Sequence, residues 1–371
     1  MPSFPIRIGL VLLVLAIIGA LTLRRLIPGP PVIPPLPSTI LTGSRHSAEI
    51  RGVCRDIYSA VCRAGRKSWD DPTGAVDPDA EGERQASLLY TEIVNSSPGW
   101  SEWRAQAELA RRIYTPERVK RVLEAYRWVE RAIESFIESQ PRSVFTWREK
   151  AALRGRLRAT RLELPPPASI YVDRPELFLR TDVIYERALD GRTRLRIGGA
   201  YLLATQSWFN LVFTLAHELA HAIDPCEIRA AGLAMPAYDR LSGCFLGQGL
   251  IEARSTRSVC GKNDQLAETF ADWMAVQVTG EALTRFRDEF KESSVASAAA
   301  NSVRDLCDED EDYEPDSQFH PEPRIRIERI FGQNPRIRGL LGCPDLPASV
   351  AGYCGFETTP TAETPPGPEK Q

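Results

Sequence analysis

Histidine is scarce in this chain, with four residues in 371, so two of them at short spacing carry information. A basic excess is also missing: 46 Lys and Arg against 49 Asp and Glu leave a net charge of -3. That removes the electrostatic footprint of a nucleic-acid binder. No C-x-x-C pair occurs among the eight cysteines, which excludes the spacing of a zinc ribbon or a thioredoxin-like dithiol. No internal repeat is visible. Long apolar runs are absent apart from one, IGLVLLVLAIIGALTL over residues 8–23, bounded by Arg7 and by Arg24 and Arg25. It falls short of the about 20 residues of a membrane span, and Leu26 and Ile27 extend it if the arginines snorkel. No A-x-A-like cleavage site follows. The segment 8–27 is therefore read as an uncleaved transmembrane anchor behind a tail of residues 1–7, with a cleaved signal peptide as the alternative.

Two arguments about orientation conflict. Arg24 and Arg25 outweigh Arg7, which on its own would leave the body in the cytoplasm. The cysteines (Cys54, Cys62, Cys226, Cys244, Cys260, Cys307, Cys343 and Cys354) are even in number and all lie in the body. They argue for an exported disulfide framework, against the plainer alternative of eight buried thiols. The cysteines are given more weight. The expected location is a single-pass membrane protein with its body periplasmic or extracellular.

PGPPVIPPLP, within the linker 28–46, suits neither a helix nor a central strand and reads as a stiff spacer. An N-terminal strap follows over 47–82. The pattern is helical over 83–165, most clearly from Thr115, an N-cap with Pro116 at N1. There Val119, Val122, Leu123, Tyr126, Val129, Ile133 and Phe136 keep to one face, a stripe that belongs to core packing. Leu164-Pro-Pro-Pro167 closes the region. Strands are expected at Ser169–Val172 and Thr193–Ile197, and helices over about Trp208–Ile223 and Gln265–Val278. The tail 355–371 reads as disordered from its composition. The fold class is α+β, mainly helical.

Chemistry concentrates in TLAHELAHAIDPCE, residues 214–227. Residues four apart share a helix face, so His217 and His221 can direct two imidazoles at one ion. Zinc accepts neutral histidine nitrogen and in catalytic sites keeps a position for water. Glu218 beside them is the natural general base for that water. The plain alternative is a chance H-E-x-x-H on a core helix. Two candidates exist for the third ligand. Glu227 sits six residues after His221, in a pattern that wants glycine at position 224, where this chain has Asp224. Glu268 lies on the downstream helix in AETFADW, with Asp272 one turn later, placed to accept the free N–H of a ligating histidine. The choice taken is Glu268. His320 and an arginine near it in DSQFHPEPRIRIERIF can donate hydrogen bonds to an oxyanion. The acidic run Asp308–Asp312 lacks the glycine of a calcium loop and reads as solvated.

These residues resemble the neprilysin and endothelin-converting-enzyme family of zinc metallopeptidases. His217-Glu-Leu-Ala-His-Ala-Ile-Asp224 follows the family's H-E-[LI]-x-H-x-[FI]-D, and Glu268-Thr-Phe-Ala-Asp272 its E-x-x-A-D. His320, Arg326 and Cys343 keep the spacing of its C-terminal histidine, arginine and cysteine. Cys54-Arg-Asp-Ile-Tyr-Ser-Ala-Val-Cys62 matches its C-x-D-[FI]-[YF]-x-x-x-C, with Trp69 a little later. The resemblance implies a thermolysin-like zincin domain over 166–354, zinc on His217, His221 and Glu268, and Glu218 as base. It further implies His320 and Arg326 at the oxyanion, and Asp272 and Asp224 orienting the histidines. For the disulfides it implies Cys54–Cys343 and Cys62–Cys307, with Cys354 bonded to Cys226, Cys244 or Cys260.

Family members are about twice as long, so the helical lid over the site is reduced here to 83–165, and a lid-completing or oligomeric partner is conceivable. The family's Asn-Ala-x-Tyr has a degraded counterpart in Asp182-Val-Ile-Tyr185, which leaves Thr193–Ile197 as the strand expected to pair with substrate. The expected function is a membrane-anchored zinc metalloendopeptidase acting on extracytoplasmic peptides or proteins. The alternatives are an inactive receptor or assembly module on the same fold, and a compact zinc protease using Glu227.

Overall fold

The computed structural model describes residues 54–62, 78–164, 180, 183–187, 192–204, 207–251, 265–286, 294–310, 320–344 and 353–356. The anchor and linker, the expected strand at 169–172, Asp182 and Cys260 lie outside the described residues. No helix among those described is long and apolar enough to cross a membrane.

Helix α3, Pro116–Ser139, starts where its sequence directs. The Thr115 side chain accepts from the Arg118 amide and Pro116 occupies the first turn, an arrangement that contributes about 1 kcal/mol to a helix. Before it come α1, Pro78–Ser96, and α2, Glu102–Ile113; after it comes α4, Trp147–Ala159. A reciprocal box opens α4, in which Thr146 Oγ1 accepts from the Glu149 amide and Glu149 accepts from the Thr146 amide.

Strands β1 (Arg161–Glu163), β2 (Val183–Arg187) and β3 (Thr193–Ile197) make one sheet in the order β1-β3-β2. β1 runs parallel to β3, and β2 antiparallel to it, with Tyr185 opposite Leu195. Three residues read as the end of the helical region, Arg161–Glu163, are thus a strand. This corrects the expectation for β3. Filled on both sides, β3 has no edge left for a substrate, and among the described residues the edges of the sheet are β1 and β2.

The remaining helices are α5 (Gly199–Ala204), α6 (Trp208–Ala220), α7 (Pro225–Ala230), α8 (Pro236–Gly247), α9 (Gln265–Phe286), α10 (Val295–Ser302) and α11 (Pro335–Leu340). Helix α6 packs on α9, with α3, α10 and β2 around it. Both helices are apolar almost all round, as befits the middle of a core. Trp128 of α3 meets Trp208 of α6 and Phe286 of α9 at ring separations of 5.6 and 5.4 Å. Phe356 is buried against Phe145, Tyr238 and Trp273. The ordered chain therefore continues past Cys354 into the tail expected to be disordered, because one aromatic side chain there finds a core pocket.

Three disulfides join Cys54 to Cys343, Cys62 to Cys307 and Cys244 to Cys354, and Cys226 is disulfide-bonded as well. The first two are the pairings the resemblance implies, and the third resolves the choice for Cys354. Between its two bridges, segment 54–62 lies on a π-helix, Ile325–Phe331. Asp56 caps its short helical stretch through the Ser59 amide and hydroxyl. Ile57 closes over Gly332, where a Cβ would stand 2.7 Å from the Glu328 carbonyl oxygen and 2.8 Å from the Ile57 Cδ1. Only glycine permits that approach.

Candidate metal centre

Helix α6 is capped by the Ser207 hydroxyl, which accepts from the Phe209 amide, and it carries His217 and Glu218 into the core. It ends at Ala220. His221 falls in a tighter 3₁₀ turn, His221–Ile223, so the second histidine lies just beyond the α-helix that the spacing predicts. The two rings remain neighbours, with centroids 5.0 Å apart and planes at 85°. From the facing helix α9, Glu268 and Asp272 project one turn apart, and His320 arrives from the chain leading into the π-helix.

Three imidazoles converge on one carboxylate oxygen. Glu268 Oε2 lies 3.1 Å from His217 Nε2, 3.0 Å from His320 Nε2 and 3.5 Å from His221 Nε2. His217, Glu268 and His320 offer ligand atoms all within 4.8 Å of one another, a set able to hold a metal ion. The tightest group thus differs by one member from the expected trio: His320, expected as an oxyanion donor, stands closer to Glu268 than His221 does. The tight turn at His221 accounts for its extra distance. With two or three imidazole nitrogens and one carboxylate, the donor set suits a zinc-type ion, and the Nδ1 partners described next leave Nε2 free to ligate.

Behind the cluster stands a buried relay. His217 Nδ1 donates to Asp272 Oδ1 at 2.9 Å. Arg326 Nε and Nη2 donate to Asp272 Oδ2 and Oδ1 at 2.8 and 3.1 Å. Asp272 is 1% exposed and Arg326 4%. The guanidinium of Arg326, expected at the oxyanion, thus engages Asp272 through two of its nitrogens, and through Asp272 it fixes the His217 ring. His221 Nδ1 has Asp224 Oδ2 at 3.4 Å, too long for a strong hydrogen bond. The other oxygen of Asp224 caps α7 through the amides of Cys226 and Glu227, at 2.7 and 2.8 Å.

Glu227 is not near the imidazole nitrogens' meeting point. It pairs with Arg156, 2.5 Å away, and with Arg187. Two guanidinium partners thus occupy the carboxylate that the compact-protease alternative would place on the metal. Glu218 stands apart from the convergence and accepts the Tyr185 backbone N–H of β2 at 2.9 Å. Burial raises its carboxyl above the ordinary range, and although His217 and His221 pull the other way, the net shift stays upward. Burial also opposes the charge on Glu268, but there the His221 charge and the hydrogen bonds of His217, His221 and His320 prevail and hold it well below the usual range.

The Tyr185 amide, Arg156 and Arg187 were not foreseen from sequence. Arg156 and Glu227 are 71 residues apart, and no local pattern signals such a pair. No family model matches this chain, and neither a curated protein nor a solved structure matches it.

Proposed function

We propose that this chain is a zinc metallopeptidase cutting peptide bonds outside the cytoplasm. The observation that carries the reading is the convergence of three histidine Nε2 atoms on one Glu268 oxygen, beside a second half-buried glutamate, Glu218, that stays out of the cluster. His217, His221 and Glu268 would hold zinc, which when bound supplies Lewis-acid polarisation of a carbonyl and acidifies water. Glu218, its carboxyl raised above the ordinary range by burial, takes the proton of the attacking water and delivers it to the leaving amine. His320, 37% exposed, donates a hydrogen bond to the oxygen on which negative charge develops. Asp272, clamped by Arg326, keeps the His217 Nδ1 proton in place, so that Nε2 presents its lone pair.

The substrate main chain pairs with β2. In an antiparallel pair, alternate residues turn N–H and C=O away from the partner strand. The Tyr185 N–H reaches Glu218, so this residue and its neighbours two places away face the free edge. The disulfides support an oxidising compartment, and the apolar run 8–23 supports a membrane anchor.

The test combines metal analysis with peptide digestion by the oxidised protein. Wild type should bind one zinc per chain and cut, and Glu218→Gln should bind zinc without cutting. A folded, zinc-loaded wild type that cuts no member of a diverse peptide library refutes the reading.

A further inference from the structure

Among the described residues strand β2 is bonded to β3 alone, and its other edge runs past Glu218. Tyr185 and Arg187, two residues apart, put their side chains on the same face of the sheet. A peptide strand laid against this edge sets the side chain opposite Arg187 on that face as well.

The charges acting on Tyr185 are those of Arg156, Arg187, Glu227 and Asp224. Asp224 is engaged at the start of α7, and Arg156 and Arg187 share one oxygen of Glu227, Oε2. Arg156 is committed twice, since its Nε also donates to the Ala222 carbonyl at 2.7 Å. Arg187 is 46% exposed and makes a single hydrogen bond among the described residues. Its planar fork of five N–H donors therefore has capacity left for another carboxylate. The Tyr185 hydroxyl is buried and has no hydrogen-bond partner among the described residues, although buried hydroxyls ordinarily find one. The opposite face of the sheet carries Arg161, Arg194 and Arg196 with Glu163 and Glu186. There Arg196 lies between Glu163 at 3.0 Å and Glu186 at 2.5 Å, and Arg194 reaches Glu163 at 3.2 Å.

We infer that the edge strand selects substrates with an aspartate or glutamate at the position opposite Arg187, where the half-exposed guanidinium receives the carboxylate. This rests on the reading of the site as a peptidase. The selected residue lies on one side of the scissile bond only, two residues (roughly 7 Å) along the strand from the one facing Tyr185. Neighbouring substrate positions point to the other face, where Arg194 and Arg196 are already held by Glu163 and Glu186, and show no acidic preference.

The experiment uses fluorescent peptide pairs that differ by Asp against Asn at one position, moved stepwise along a fixed sequence. Binding is read by anisotropy on zinc-loaded Glu218→Gln, in which the glutamine still accepts the Tyr185 N–H, and cleavage is read on wild type. At one register Asp should bind about fivefold tighter than Asn, on the scale of a half-exposed ion pair with a charge-assisted hydrogen bond. Adding Arg187→Gln should remove the difference, and Arg187→Glu should turn it toward Lys. Arg187 is half-exposed, so these variants should melt with their parent. Equal binding of Asp and Asn at every register, or a preference that survives Arg187→Gln, overturns the inference. Cleavage by wild type without acidic selection defeats this inference alone. Selective binding with no cleavage defeats the peptidase reading and leaves the carboxylate site standing.

Discussion

Glu218 and Glu268 sit on packed helices, both within reach of the same histidines, yet their carboxyl groups are driven in opposite directions. Burial raises both. Glu268 overcomes it because three imidazoles surround one of its oxygens, whereas Glu218 accepts one backbone amide and stays raised. Donor count, rather than depth, decides which glutamate keeps its charge. The charged one is suited to ligate a cation, and the raised one to exchange a proton.

The sharpest way to break this contrast is to swap roles. Glu218→Gln should lower peptide cleavage by about 10²–10⁴ while zinc content, measured by atomic absorption, stays at one per chain. Glu268→Ala should lose zinc as well as cleavage, with affinity in a chelator competition falling by more than about 100-fold, beyond the loss of a supporting group. Glu227→Ala should keep its metal. A smaller effect is expected behind His217. Asp272→Asn should weaken zinc binding by about 10–100-fold, and Arg326→Gln should weaken it less, because Asp272 remains. An Arg326→Gln that binds zinc normally but cleaves poorly would return the arginine to the oxyanion.

A pH titration probes the same donors in the metal-free protein. Burial disfavours the charge on His217, but hydrogen bonds to Asp272 and Glu268 outweigh it and hold the imidazolium up to about 9, against an ordinary 6.5. The folded value lies above the unfolded one, so the proton favours the fold. Its contribution is complete below pH 6.5 and is lost as pH rises through about 9. Melting temperatures in chelator should fall across that window. With zinc saturating, Nε2 carries metal instead of a proton, and the fall should disappear. The smallest effect concerns the scaffold, where Thr115→Ala should cost about 1 kcal/mol in a denaturant titration.

What the sequence made legible was local. The cap at Thr115, the limits of β3, the start of α6, and the joint placement of Glu268 and Asp272 all follow from spacing within a turn or two. The sheet order did not. β1 has three residues, too few for alternation to show, and it ends a run of helices, so β3 read as an open edge. The place of Arg326 escaped for a related reason. Its partner is 54 residues away, and an arginine six positions after a histidine gives no hint of which side of the metal centre it will face. Phe356 in a polar tail is a single letter whose meaning depends on the pocket formed by Phe145, Tyr238 and Trp273.

The strap has a consequence for how the molecule breaks. Cys62–Cys307 and Cys54–Cys343 join residues 245 and 289 apart in sequence. A nick anywhere between Cys62 and Cys307 leaves two fragments still joined by at least two covalent bridges. A single cut in that stretch sheds nothing, and the damaged molecule runs as one band until a thiol separates its halves.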